Sequence, residues 1–145
     1  MNNFLKYLII GVVFTTIVDY TTTLNPNFQK WVSYMPAVWI FYIVYPLIFA
    51  FLTQKKKWGD RDVFIAAVVS GAAFELLFVN NTLLVTFPIM LIMIPFMIAI
   101  YSFITLGPKW IVEKKVSANR KRLILLAAIW ILVAVLNFVT KTRSG

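Results

Sequence analysis

Five long apolar runs, at residues 4–24, 31–52, 63–84, 88–106 and 123–140, fill most of this 145-residue chain. Each is close to the roughly 20 residues a helix needs to cross a bilayer. A soluble domain of this size leaves much of its surface in water and cannot hide five such stretches. The predicted fold is an all-α integral membrane protein, a single domain over 1–145 built as a bundle of five transmembrane helices. Composition agrees: 61% of residues are apolar and 13% charged, where a soluble protein carries about a quarter charged residues. Pro88 suits the first turn of the fourth helix, where its missing N–H is tolerated. The first run has the outline of a signal peptide. It lacks the small-residue cleavage pattern and continues into Asp19, Tyr20 and three threonines, so it is expected to be retained.

Orientation follows from Lys and Arg. Lys6, Lys55, Lys56, Lys57, Arg61, Lys109, Lys114, Lys115, Arg120, Lys121 and Arg122 fall on one side, 11 in all, against three on the other: Lys30, Lys141 and Arg143. The positive-inside rule puts the N-terminus in the cytoplasm and the C-terminus outside, in a multi-pass plasma-membrane protein. Tryptophan and tyrosine prefer headgroup depth. On this topology Trp31 and Tyr34 belong at the outer interface, Trp58 and Trp110 at the inner one. The net charge of +9 sits between spans, where topology and anionic headgroups account for it without nucleic acid.

The chain has no histidine and no cysteine. That removes thiol nucleophiles, disulfides, the usual zinc and haem ligands and the commonest general base. No cofactor, metal site or catalytic residue is expected. Met90, Met93 and Met97 share one face of the fourth helix. Thioethers can bind copper(I), but methionine also fills irregular interfaces.

Only two acids lie inside the spans, Asp19 and Glu75. In the first helix Gly11, Thr15, Asp19 and Thr22 form one stripe, flanked by Thr16 and Thr23. In the third, Ala67, Gly71 and Glu75 recur every four residues, with Ala66, Ser70 and Ala73 nearby. Small residues at this spacing let helices pack closely, so Gly11, Thr15, Ala67 and Gly71 are the expected packing positions. Both acids lie about 18–23 Å from the inner boundary, in one layer of the outer half. Adjacent carboxylates in low dielectric share a proton or hold a cation, so Asp19 and Glu75 are a candidate proton or cation site. Separate structural roles are the alternative. The second helix carries Pro36 and Pro46 and an aromatic series, Trp39, Tyr42 and Tyr45, which reads as packing or as contact with a lipid, quinone or pigment. Asn137 in the fifth helix is placed to bond a neighbour. The segment 109–122 is expected to lie along the inner surface. Lys109, Lys114, Lys115, Arg120, Lys121 and Arg122 would contact anionic lipid there.

The opening Phe4-Leu5-Lys6-Tyr7-Leu8-Ile9-Ile10-Gly11, with Asp19 beyond it, resembles the start of GtrA-like small membrane proteins, which are linked to lipid-linked sugar transfer. The likeness covers under 20 residues. It lacks that family's later aromatic and basic signature and meets five spans where four are expected, so it assigns no family.

Three functions compete. The leading expectation is a non-catalytic accessory subunit of a larger membrane complex, with other membrane subunits as partners. Such small polytopic chains accompany respiratory and energy-converting assemblies and membrane monooxygenases for ammonia or methane. The second is a small proton or cation transporter or channel using Asp19 and Glu75. The third is a lipid-modifying enzyme, against which stands the lack of a nucleophile–base constellation.

Overall fold

The computed structural model describes residues 2–22, 28–78 and 80–142, with side chains for all of these except 28, 30, 31, 34–40, 141 and 142. Five α-helices follow in order: α1 Asn3–Thr22, α2 Phe28–Ala50, α3 Asp60–Leu77, α4 Met90–Val112 and α5 Arg120–Thr142. A π-helical turn, Phe51–Lys55, extends α2, and a 3₁₀ turn, Thr82–Leu84, interrupts the connection from α3 to α4. Among the described residues there is no strand. Three helices, Asn3–Thr22, Met90–Val112 and the Arg120–Thr140 part of α5, are long and apolar enough to cross a membrane. The described apolar part of α2 and its extension, Phe41–Lys55, is shorter. α3 carries Asp60, Arg61, Asp62 and Glu75 within 18 residues.

The helix boundaries have local causes. Gly59 is extended and caps α3. Asp60 and Asp62 fill the first turn, where negative charge meets the positive end of the helix dipole. α3 then stops at Leu77, short of the expected residue 84. Asn80 takes a left-handed φ of 54°, a conformation asparagine tolerates better than most residues. α4 runs six residues past its expected end at 106, through Gly107 and Pro108 to Val112. The predicted surface segment 109–122 is accordingly corrected: its start is the last turn of α4, 113–119 is a turn, and α5 begins at Arg120.

α4 is the centre of the bundle. It packs against α1, α3 and α5, while α1 also packs against α2 and α5. Every residue from Tyr101 to Trp110 is buried, an all-round burial that three neighbouring helices explain. Close approach comes from small residues. A Cβ on Gly71 would lie 2.5 Å from the Tyr101 ring, one on Gly11 2.9 Å from Pro46 Cβ, and one on Gly107 2.7 Å from Phe14. Ala67 and Thr15 are buried on the same stripes. An aromatic row links three helices: Phe41 stacks on Phe74 at 4.3 Å and leans on Tyr45 at 4.9 Å, and Tyr101 meets Tyr45 edge-on at 5.9 Å. A separate pair ties α4 to α5, where Phe103 stacks on Trp130 at 5.5 Å. By contrast every residue of α5 from Arg120 to Thr140 is at least partly exposed.

Candidate functional site: carboxylates at helix junctions

Asp19 and Glu75 are both half-buried, and each accepts a hydrogen bond from a tyrosine on a neighbouring helix. The Tyr42 hydroxyl of α2 donates to Asp19 Oδ2. The Tyr101 hydroxyl of α4 donates to Glu75 Oε1 at 3.1 Å. Glu75 Oε2 also accepts from Asn81 Nδ2 at 2.9 Å, and the Asn81 N–H closes back on the Glu75 carbonyl at 2.9 Å. Asn81 therefore folds the end of α3 over its own acid. Asp19 therefore sits at the junction of α1 with α2 and Glu75 at that of α3 with α4, each on its own tyrosine. Tyr45 extends this polar layer, lying 3.1 Å from the Ser70 hydroxyl. Tyr42 and Tyr45 are thus interior packing residues. Trp39 of the same series, with Pro36, Trp31, Tyr34, Lys30, Lys141, Thr23 and Arg143, lies outside the described side chains.

A second charged cluster closes the basic end of α3 and α4. Lys109, which is 3% exposed, meets Asp60 Oδ1 at 2.5 Å and Glu113 Oε2 at 3.1 Å. The Trp110 indole N–H donates to Asp60 Oδ2 at 2.8 Å. Lys115 meets Glu113 from outside at 2.7 Å. Burial pushes the Asp60 carboxyl up, but hydrogen bonds from Lys109 and Trp110 outweigh it and hold the group below the ordinary aspartate value. Glu113 pushes the Lys115 ammonium up from its ordinary value.

This cluster corrects two expectations. Lys109 does not face anionic lipid, because two carboxylates enclose it inside the bundle. Trp110 is only 1% exposed and packs inside the bundle rather than against lipid headgroups, its N–H satisfied by Asp60. Lys114, Lys115, Arg120, Lys121 and Arg122 remain exposed. The last three line an open depression of about 480 Å³ with Ser117, Ala118 and Asn119. Asp60 and Glu113 are the charge partners that sequence reasoning passed over. The available signal was a lysine beside Trp110-Ile111-Val112, an apolar setting that calls for a counter-charge.

α5 is tied to α1 by side chains. The Trp130 indole donates to Thr21 Oγ1 at 2.9 Å, and Asn137 Nδ2 donates to the Thr21 carbonyl at 3.3 Å. Met97 packs against the core, while Met90 and Met93 are half-buried. Among the described residues no group of three or more His, Cys, Asp or Glu could hold a metal ion. No family model, curated protein or solved structure matches the chain.

Proposed function

We propose that this protein is a non-catalytic accessory subunit of a larger membrane complex. It spans the plasma membrane as five helices, with its N-terminus in the cytoplasm and its C-terminus outside. The observation that supports this reading is the use made of the acids. Asp19 joins α1 to α2, Glu75 and Asp60 join α3 to α4, and Glu113 helps bury Lys109. Polar groups in such positions fix helix neighbours, each interhelical hydrogen bond contributing about 0.6 kcal/mol in a membrane. α5 offers a long apolar face to other subunits or to lipid. Arg120, Lys121 and Arg122, exposed around their depression, suit anionic headgroups. The test is native membranes solubilised in mild detergent. The chain should migrate with other chains in fixed ratio. A monodisperse monomer from both native and recombinant sources refutes the reading.

A second reading, favoured by the half-burial of Asp19 and Glu75 and the tyrosine hydroxyl that each holds, is proton or cation transfer between the two acids. It requires non-additive effects of Asp19→Asn and Glu75→Gln on proton flux in liposomes. Purely additive effects, or flux unchanged in the double variant, exclude it.

A further inference from the structure

Between α3 and α4, residues 78 and 80–89 combine irregular backbone with exposed apolar side chains. Phe78 is 78% exposed, Phe87 72% and Val85 64%; Leu83 and Ile89 are exposed as well. Water disfavours these side chains. Hydrocarbon disfavours lipid-facing backbone that is neither helix nor closed barrel. A boundary between the two accommodates both.

The height of the segment matches that boundary. The Asp60–Lys109 ion pair sets one level shared by the basic ends of α3 and α4. From Asp60 to Leu77 α3 rises about 26 Å, and from Lys109 back to Met90 α4 rises about 28 Å. The hydrocarbon core is about 30 Å thick. With the ion pair at one edge of the core, the segment starts and ends at the other. No Asp, Glu, Lys or Arg occurs between Glu75 and Lys109, so nothing charged opposes partial insertion.

The segment is also held in shape. Leu84 is buried and packs the 3₁₀ turn onto α4. The N–H groups of Asn81, Thr82, Leu84 and Val85 are bonded within the segment or to Glu75, and Thr86 Oγ1 donates to the Thr82 carbonyl at 2.8 Å. Much of the local polar demand is thereby met before the membrane is reached.

We propose that residues 83–89 form an interfacial anchor, with Leu83, Val85, Phe87 and Ile89 inserted among the acyl chains just below the headgroups of the leaflet opposite the basic end. The anchor rests on the membrane-spanning reading. It fixes the depth of the α3–α4 hairpin as an amphipathic surface helix fixes the depth of its host.

Since the chain has no cysteine, single-cysteine variants test this directly. Phe87→Cys and, independently, Val85→Cys are labelled with an environment-sensitive fluorophore. The purified full chain is then reconstituted in phosphatidylcholine vesicles. Val135→Cys, on the exposed face of α5, reports the membrane reading itself. The expected result at 87 and 85 is blue-shifted emission, loss of quenching by aqueous iodide, and stronger quenching by nitroxide lipids labelled near the headgroup than at mid-chain. Iodide-accessible labels at 87 and 85, with lipid quenching at 135, overturn the anchor and leave the spanning reading intact. If 135 is also open to iodide, the spanning reading falls with it. Labels that are wet in vesicles but shielded in native membranes assign the face to a protein partner and refute the lipid anchor.

Discussion

Gly71→Ala tests the packing at the centre of the bundle. The new Cβ would lie 2.5 Å from Tyr101 Cγ and 2.7 Å from both Cδ atoms, where ordinary contact begins at 3.4 Å. The ring must retreat by roughly 1 Å in an interior with little free volume. It cannot do so freely. Phe41 and Tyr45 flank it at 6.3 and 5.9 Å between centroids, and its hydroxyl is bonded to Glu75 at 3.1 Å. Overpacking of this kind costs about 1–3 kcal/mol. Losing the Tyr101–Glu75 hydrogen bond adds about 0.6–1.7 kcal/mol. The higher helix propensity of alanine returns about 1 kcal/mol. The expected net destabilisation is about 0.6–3.7 kcal/mol, read from the midpoint of reversible unfolding in mixed micelles by tryptophan fluorescence. Gly59→Ala is the control, since its nearest neighbour would be Asp62 Oδ2 at 3.6 Å. If Gly71→Ala unfolds at the wild-type midpoint, or both variants shift equally, the argument from close approach is wrong.

Three further outcomes are expected. Lys109→Met should destabilise the fold by about 1–3 kcal/mol, below the range for a fully buried pair because Asp60 is partly exposed; a variant at least as stable as wild type in the same unfolding measurement contradicts the bridging role. The lowered Asp60 value gives stability that is complete above the ordinary aspartate value of 3.8 and is lost as pH falls through the lower folded-state value. The acid limb of a stability–pH curve should therefore flatten in Asp60→Asn, and an unchanged limb removes Asp60 as its source. Reporter fusions after Lys57 and after Lys115 should both be cytoplasmic; an external reading for either breaks the five-span topology.

The existence of the five helices was legible because long apolar runs have few other solutions. Their ends were less so. The fourth apolar run ends at 106, yet α4 continues through Gly107-Pro108 because α1, α3 and α5 enclose that turn. The third helix read too long because Leu83-Leu84-Val85 extends the apolar run, whereas Asn80 and Asn81 turn the chain. The stripes of Gly11, Thr15, Ala67 and Gly71 were visible from spacing alone. Their neighbours, Pro46 and Tyr101, were not, because periodicity describes one helix and says nothing of which way the next one faces. The same limit applies to the acids. Their places in the apolar runs were plain, but Tyr42, Tyr101 and Asn81 as partners required the packed bundle. Lys109 was grouped with its basic neighbours because its counter-charge, Asp60, stands far away in sequence.

The contact between Tyr7 and Thr105 has a consequence for the order of events during synthesis. The fully buried Tyr7 hydroxyl donates to the Thr105 carbonyl at 2.7 Å across 98 residues of chain. At about 5–20 residues per second, the ribosome needs about 5–20 s to deliver that carbonyl after Tyr7 is made. For that interval the most deeply buried side chain of α1 has no native acceptor, and the face bearing Gly11, Thr15 and Val18 has only α2 to meet. The first helix made is thus among the last to be locked. On the membrane-spanning reading its tyrosine must be held by headgroups, water or the insertion machinery until the fourth helix arrives, and a nascent chain halted before residue 105 should leave α1 open to crosslinking that the finished protein excludes.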